Sequence, residues 1–280
     1  MDPLLSNLLY DHPELYEEMY PGTEKDIPRF CARLFAAHAP GGIRTLLDAG
    51  CGTGRHVEFF TEAGVDCVGF DCQEGMLAFA RERRPGPDYR VGDMRSLRLG
   101  RTFDAVTCFG WALSNLHANA DVSGAVETFA VHCRPGALLF IHVPNPLADP
   151  EDAAFQRHFT LAAPSFTATA EATYTLDRRR QLLTRRRLWR VPGRAPLTDH
   201  VRFRLLYPME LEHHLSEHGF RVLGMYDDTD APGAVGASDP TDTSGAVEAA
   251  ETGETAEVPG APDGDLSGPA LYVLARFTGA

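Results

Sequence analysis

Residues 45–56 read Thr-Leu-Leu-Asp-Ala-Gly-Cys-Gly-Thr-Gly-Arg-His and leave few folds open to this chain. A short apolar strand (Thr45, Leu46, Leu47) ends at Asp48 and gives way to Gly50, Gly52 and Gly54, and a polar, helix-compatible stretch begins near Arg55. Glycine carries no Cβ, so glycines at this spacing let the backbone turn tightly and let a ligand approach the main chain. A strand, a Gly-rich turn and a helix in succession make a generic nucleotide site. The dinucleotide fingerprint wants a further glycine one residue beyond Gly54, and that position is Arg55. An acid stands just before the glycines, and nothing there invites a pyrophosphate.

The following stretch repeats the theme. Val65 to Asp71 is a second strand ending in an acid, about 20 residues after the loop, where a carboxylate can grip two ribose hydroxyls. Gln73 to Arg84 has helical spacing, with Met76, Leu77, Phe79 and Ala80 on or near one face. Tyr89-Arg90-Val91 predicts a third strand, followed by Gly92-Asp93-Met94-Arg95. Phe103 to Phe109 predicts a fourth, and Ala137 to Val143, after the Arg134-Pro135-Gly136 turn, a fifth. Strands alternating with helical segments predict a parallel, doubly wound sheet. Ligands of such sheets bind outside the carboxyl ends of the strands, where Asp48, Asp71 and Asp93 all fall.

With these residues in place, the chain resembles the class I S-adenosylmethionine-dependent methyltransferases. Within that group it is similar to small-molecule N-methyltransferases of bacterial natural-product pathways, notably amino-sugar N,N-dimethyltransferases. The likeness rests on Tyr16-Glu17-Glu18-Met19-Tyr20 with Lys25-Asp26, the Leu47–His56 loop, Gly92-Asp93-Met94-Arg95 through Arg101, and Phe103-Asp104-Ala105-Val106. It runs from about residue 10 to 140 and fades afterwards. Where that family has an acid and tryptophans after the fifth strand, this chain has His142-Val143-Pro144-Asn145-Pro146.

The resemblance implies a Rossmann-like seven-stranded sheet and a bound S-adenosylmethionine. Asp48 would act near the amino-acid end of that cofactor, with Ala49, Gly50, Gly52 and Gly54 giving backbone access. Asp71 would bind the ribose, with Cys72 beside it. Asp93 would accept the adenine amino hydrogen, the Met94 N–H would face the ring, and Met76 and Cys108 would pack near it. Tyr16 and Tyr20 resemble the N-terminal tyrosines that close over the cofactor in related enzymes, and they read equally as core aromatics of an amphipathic helix.

An activated sulfonium needs little beyond a nucleophile aligned about 3 Å away, so orientation and exclusion of water carry most of the catalysis. His142 at the end of the fifth strand and His117 after the fourth are the candidate proton acceptors, with Tyr16 beside them. Trp111, Asn145, Tyr20 and His142 are the candidate substrate contacts, whereas His132 reads as a cation at a helix C-terminus. Eleven histidines dilute any one assignment.

Composition narrows the function class. The 280 residues hold 26 Lys and Arg against 39 Asp and Glu, a net charge of −13, which disfavours nucleic acid or an anionic membrane as partner. Residues 227–268 contribute eleven of those acids with no Lys or Arg and few large apolar residues, so this stretch is expected to be a disordered acidic loop. It divides two strand candidates, Phe220–Tyr226 and Leu271–Phe277. The six cysteines form no Cys-x-x-Cys pair and no zinc spacing with histidine, so they read as reduced thiols and no metal is expected. No signal peptide or membrane span is legible, which predicts a cytoplasmic protein.

The expected layout is a helical lid over 1–40, a cofactor-binding core over 41–147, and an inserted antiparallel β cover over 148–206. A helix and the last two strands would complete the chain over 207–280. In the cover, Ala172–Leu176 and Leu182–Val191 predict a hairpin turning at Asp177–Arg180, and His200–Tyr207 a further strand. The Arg178–Arg180 and Arg185–Arg187 clusters read as solvated charge or partners of the chain's own acids. Helical spacing returns at Pro208–His218, with Gly219 as its stop. The whole reads as a small-molecule N-methyltransferase taking an amine acceptor, with a homodimer left open as its assembly. Three other classes stay open: an O-methyltransferase with a His base and a hydroxyl acceptor, a non-catalytic cofactor-binding regulator, and a protein or RNA methyltransferase.

Overall fold

The computed structural model describes residues 7–19, 26–148, 157–163, 166–193, 195–229 and 266–279. Seven strands form the main sheet: β1 (Thr45–Ala49), β2 (Asp66–Asp71), β3 (Asp88–Val91), β4 (Phe103–Cys108), β5 (Cys133–Pro144), β10 (Phe220–Tyr226) and β11 (Ala270–Phe277). Their order is β10-β11-β5-β4-β1-β2-β3. The five strands from β5 to β3 run parallel, whereas β11 pairs antiparallel with both β5 and β10. The chain order reverses at β1 and β4, which puts a crevice at their carboxyl ends.

Alternate side chains of these strands enter two cores. Leu47, Val106, Leu139 and Ile141 face one side, while Leu46, Ala105, Leu138 and Phe140 face the other. Strands buried on both faces read as continuous apolar runs, as Ala137–Ile141 does. Helices α3 (Asp26–His38), α4 (Arg55–Glu62) and α5 (Glu74–Arg83) cover the second face, and α6 (Asn119–Val131) and α7 (Pro208–Glu217) the first. Phe30 of α3 meets Phe140, Tyr226 and Tyr272 edge-on at 6.3, 5.4 and 5.6 Å. Complete burial of one such ring is worth roughly 1.5–3 kcal/mol. Gly219 stops α7 with a left-handed φ of 79°, a conformation glycine adopts without strain.

The inserted unit is a four-stranded antiparallel sheet of β6 (His158–Ala163), β7 (Phe166–Asp177), β8 (Leu182–Arg190) and β9 (Leu197–Arg204). Its hairpin turn falls where the sequence puts it, β9 overlaps the further strand expected over His200–Tyr207, and β6 adds an unexpected fourth. The N-terminal helices α1 (Leu8–Asp11) and α2 (Pro13–Met19) send Leu8, Leu15 and Met19 into this unit's core, formed by Phe159, Leu161, Ala168, Ala170, Ala172 and Trp189. The described residues of the expected 1–40 lid therefore divide: α1 and α2 pack on the cover, and α3 packs on the main sheet.

Charge inside the cover is paired. Arg187, fully buried, makes a two-pronged ion pair with Asp199 (2.9 and 2.7 Å) and donates to Asn7 Oδ1 at 2.9 Å. Trp189 Nε1 donates to the same carboxylate at 3.1 Å, and the Leu8 N–H at 3.2 Å. The cover is thus pinned to the start of α1. Arg185 lies over Phe159 and Phe203 at 5.7 and 5.4 Å. Of the basic clusters, then, two arginines are buried rather than solvated.

Most of the acidic stretch, 230–265, lies outside the described residues, but its stem is closed: the Gly268 N–H donates to Asp227 Oδ2 at 2.7 Å. All six cysteines are free thiols, five of them buried. No described helix is long and apolar enough to cross a membrane.

Candidate active site

A cavity of about 600 Å³ opens at the carboxyl ends of β1, β2 and β3. That size lies within the roughly 300–1,000 Å³ of small-molecule sites. Its floor is the glycine loop. The Gly50 and Cys51 N–H groups donate to the Phe70 carbonyl at 2.8 and 3.0 Å, which fastens the loop to β2. Gly50, Gly52 and Gly54 have φ of 73°, 53° and 83°, all left-handed. A Cβ on Gly50 would stand 2.6 Å from the Ala112 side chain, and one on Gly54 2.6 Å from the Tyr89 hydroxyl. One on Gly52 would meet nothing within 4 Å. Two glycines are thus required by neighbouring protein, while the third leaves room beside the loop.

Asp71, at the end of β2, takes the Gly52 N–H on one oxygen and the Gln73 N–H on the other, each at 2.9 Å. Burial raises its pKa, and these backbone donors work against that rise. Each oxygen keeps lone-pair capacity for a further donor. Asp93, after β3, is held by Arg95 through its backbone N–H (2.8 Å) and guanidinium (2.9, 3.1 and 2.5 Å). That pairing keeps the Asp93 carboxyl below its ordinary range. Cys72, Met76 and Met94 line the same wall, and Tyr16 faces it from α2.

Other expected cofactor residues stand behind the cavity wall. Asp48, Ala49, Gly54 and Cys108 are all buried, and none lines the opening. Asp48 Oδ1 accepts from the Thr107 hydroxyl at 2.8 Å, and Oδ2 has no hydrogen-bond partner among the described residues. Burial lifts its pKa to about 7, against the Thr107 hydrogen bond and with the help of the Asp71 charge. Asp48 is a supporting acid beneath the loop.

The histidines sort differently from their expected roles. His142 is buried, does not line the cavity, and stacks on Tyr272 at 4.9 Å. Its Nε2 faces the Trp111 indole N–H at 3.1 Å and its Nδ1 the Gly110 N–H at 3.3 Å. A neutral imidazole accepts at one nitrogen only, so the ring has no spare lone pair for a substrate. Burial lowers its pKa to about 3. Sequence position put His142 at the mouth of the site; its side chain is committed inside. Trp111 also stands off the lining, with a left-handed φ of 63°, unusual for a bulky residue.

Asn145 has a similar outcome. Its side-chain amide donates to the Leu266 and Gly268 carbonyls at 2.6 and 2.8 Å, and its Oδ1 accepts from Leu147, so it ties down the stem of the acidic stretch. His132 is buried between the Thr128 carbonyl (2.7 Å) and the Leu99 N–H (2.9 Å), which fixes a neutral tautomer rather than a helix-end cation. Tyr20 lies outside the described residues.

His117 does line the cavity. Its Nε2 stands 3.1 Å from the Arg202 carbonyl, which can only accept, so Nε2 carries the proton and Nδ1 the lone pair. Two histidines not singled out by the sequence join it at the wall. His56 stacks on Phe109 at 4.2 Å with a buried, unpartnered Nε2, and burial followed by nearby positive groups lowers its pKa to about 3. His200, on β9, has a buried Nδ1 with no hydrogen-bond partner among the described residues. His56 belongs to the loop motif and was legible there; His200 was not, because strand register decides which face of β9 it takes.

Strand order, glycine loop and strand-end acids together make a class I methyltransferase fold, and residues 46–136 match the family model described as a methyltransferase domain. The chain is 36% identical over 145 residues to the dTDP-3-amino-3,4,6-trideoxy-alpha-D-glucopyranose N,N-dimethyltransferase of Streptomyces venezuelae, covering 50% of this chain and 61% of that protein. It is 37% identical over 131 residues to the dTDP-3-amino-3,6-dideoxy-alpha-D-glucopyranose N,N-dimethyltransferase of Streptomyces fradiae, covering 46% of this chain and 51% of that one. The matches thus span between half and two thirds of these relatives' length. Among solved structures, Streptomyces venezuelae DesVI superposes with a TM-score of 0.65 at 27% identity over 78% of this chain and 94% of that one. The amino pentose methyltransferase CalS10 from Micromonospora echinaspora, bound to S-adenosylmethionine, shares the fold over 98% of this chain and 99% of that one (TM-score 0.70, 23% identity).

Proposed function

We propose that this protein transfers a methyl group from S-adenosylmethionine to the nitrogen of a small-molecule amine in natural-product metabolism. One observation carries the reading: the glycine loop, Asp71 and Asp93 converge on a single cavity that the lid residues Tyr10 and Tyr16 and the cover residues His200 and Val201 also line. The relatives act on amino sugars by name, which supports an amino-sugar-like acceptor.

The residues present fit the cofactor. Open space beside Gly52, acceptor capacity left on Asp71 and the apolar Met76 and Met94 suit an adenosine with its ribose at Asp71. When bound, S-adenosylmethionine supplies a methyl on a sulfonium, whose passage to an amine nitrogen leaves a neutral thioether and one proton to be removed. Asp71 orients the ribose, Asp93 and the Met94 backbone hold the adenine edge, and Tyr16 excludes water from above. His117 Nδ1 has the lone pair suited to receive the amine proton.

The relatives' names favour nitrogen over oxygen as the acceptor atom. A hydroxyl acceptor needs a base during transfer; His142 and His56, each with a pKa near 3, are too weakly basic for that task, which leaves His117 to serve it. An amine needs only to arrive uncharged and aligned. Calorimetric titration with S-adenosylmethionine and S-adenosylhomocysteine, with NAD as control, tests the cofactor; radiolabelled methyl transfer to an amine and a phenol series tests the acceptor atom. Binding of NAD alone, or turnover confined to phenols, would overturn the proposal.

A further inference from the structure

His117 sits on the segment 110–118, which carries the chain from β4 to α6. This segment opens with two left-handed residues, Gly110 and Trp111, with φ of 61° and 63°. A bulky side chain holds that conformation only where its surroundings impose it. Here the surroundings include β9 of the cover. The Trp111 ring meets Phe203 edge-on at 5.4 Å, and His117 Nε2 faces the Arg202 carbonyl at 3.1 Å. Two residues further along the strand, Arg204 Nη1 donates to the His117 main-chain carbonyl at 3.1 Å. One strand therefore holds His117 by its ring and by its backbone.

Arg204 itself gains little from this placement. It is 8% exposed, and its Nε is buried with no hydrogen-bond partner among the described residues. Its Nη2 donates to Asn119 Oδ1 at 2.9 Å, which brings a positive charge to the first residue of α6. That is the pole where the helix dipole is itself positive, so the two repel. Glu210, the third residue of α7, offsets the charge by pairing with the same Nη2. An ion pair this far out of water adds little net stability, because lost hydration offsets the attraction. Arg204 does not line the cavity, so it touches neither ligand. Its guanidinium instead joins three segments, β9, the start of α6 and α7, around the backbone of His117.

Resting on the methyl-transfer reading above, we propose that Arg204 is a positioning residue for proton removal. Its grip on the His117 carbonyl keeps the ring against the Arg202 carbonyl as the Nε2–H tautomer, with the Nδ1 lone pair left for the acceptor. In the step it serves, the amine lone pair forms the N–CH3 bond and the electron pair of the C–S bond stays on sulfur. The amine proton passes to Nδ1. A ring released from Arg202 would exchange tautomers and spend part of its time as Nδ1–H, which cannot accept that proton.

The test uses the full-length protein, 15N-labelled at histidine and saturated with S-adenosylhomocysteine. Long-range 1H–15N spectra separate the two tautomers, and the His117 signals are those missing from His117→Gln. The unsubstituted protein is expected to show the Nε2–H tautomer alone. Arg204→Lys keeps a charge opposite Glu210, but one ammonium cannot reproduce the planar fork that spans three acceptors. R204M/E210Q removes both charges together. Mixed tautomers are expected in each variant, with S-adenosylhomocysteine affinity within about twofold of the unsubstituted value. With dTDP-3-amino-3,6-dideoxy-alpha-D-glucopyranose as acceptor, or the fastest amine of the series above if that one is not methylated, kcat should fall about tenfold. Neither variant should lose more rate when combined with His117→Ala, because the two residues act as one unit. A pure Nε2–H tautomer in both variants, a rate loss of equal size in the His117→Ala background, or failure of both variants to fold would each overturn the inference and leave methyl transfer standing. No methyl transfer by the unsubstituted protein to any amine would instead remove the reading on which it rests.

Discussion

Glu17 and Arg84 are 67 residues apart in the chain, and Arg84 Nη2 stands 2.8 Å from Glu17 Oε2. The other Glu17 oxygen takes Arg55 Nε at 2.8 Å, and Arg84 continues to Glu58 at 2.9 Å and to the Thr53 carbonyl at 3.1 Å. One lid carboxylate therefore fixes both the first residue of α4 and a guanidinium that braces the glycine loop. Burial works to raise the Glu17 pKa, but the two guanidiniums outweigh it and hold the carboxyl below its ordinary value. Its contribution to stability is then complete above the unfolded-state pKa and is lost as pH falls through the lower folded value.

Removing this carboxylate by Glu17→Ala leaves Arg84, 9% exposed, with Glu58 as its remaining acid. The expected result is a stability loss of about 1–3 kcal/mol. The loop loses its brace as well, so S-adenosylhomocysteine affinity should fall about tenfold, equivalent to roughly 1.4 kcal/mol. Paired chemical denaturation and calorimetry read the two quantities; intact affinity would detach the lid from cofactor binding.

Asp71 is held by backbone donors and takes no part in either apolar core. Asp71→Asn keeps one acceptor oxygen but loses the charge and half the capacity to receive ribose hydroxyls. Cofactor affinity is expected to drop at least tenfold, with a melting temperature shift of only a few degrees, as about 1 kcal/mol would give in a protein this size. A variant that binds the cofactor normally would remove Asp71 from the ribose site.

Asp48 makes a prediction about pH. Its folded pKa is raised from 3.8 to about 7, so the unfolded chain ionises first as pH rises. Stability from this group is therefore greatest below pH 3.8, declines as pH climbs to about 7, and is level beyond. Asp48→Asn, which can still accept from Thr107, should stabilise the protein by on the order of 2 kcal/mol at pH 8. The gain should shrink towards zero at pH 4.5. Melting curves at both pH values decide it, and an equal effect at the two would mean that Asp48 is not the titrating group.

The two histidines proposed from strand position should now separate. His142→Gln is expected to leave methyl transfer at pH 8 within about threefold of the unsubstituted protein, less than 1 kcal/mol of barrier. His117→Ala should lower kcat by about tenfold or more, as loss of a general base does. His142 has another signature. Its folded pKa near 3 lies below the ordinary 6.5, so its stabilising contribution is full above pH 6.5 and lost as pH falls through 3. Substitution should flatten acid unfolding in that window. A large rate loss in His142→Gln, with normal folding, would restore it as the base.

Strand ends and loop chemistry were legible because both depend on local sequence. Leu46 to Gly54 specifies its turn by glycine spacing, and Asp71 ends a short apolar run that reads as a buried parallel strand, whereas Asp93 follows an edge strand, Asp88–Val91, in which only Tyr89 is buried. Side-chain direction at the sheet's far end was not. His142 sits opposite Tyr272 on an antiparallel neighbour 130 residues away, and that pairing, absent from any local pattern, turns its ring inward. Asn145 is likewise claimed by the carbonyls of residues 266 and 268 across a long insertion. His200 faces the cavity only because β9 registers against Arg186 on β8, and a strand shifted by one residue would present its neighbours instead.

The grip of Arg187 on both Asp199 and Asn7 has a mechanical meaning. Residues 7–19 are clasped at their start by the cover and at Glu17 by the cofactor loop, so they act as a strut rather than a swinging flap. Pulling the cover away would draw Tyr16 from the glycine-loop side, and loosening the loop would tug on the cover. The two walls of the cavity are thereby geared together: a shift of either is carried to the other through residues 7–19.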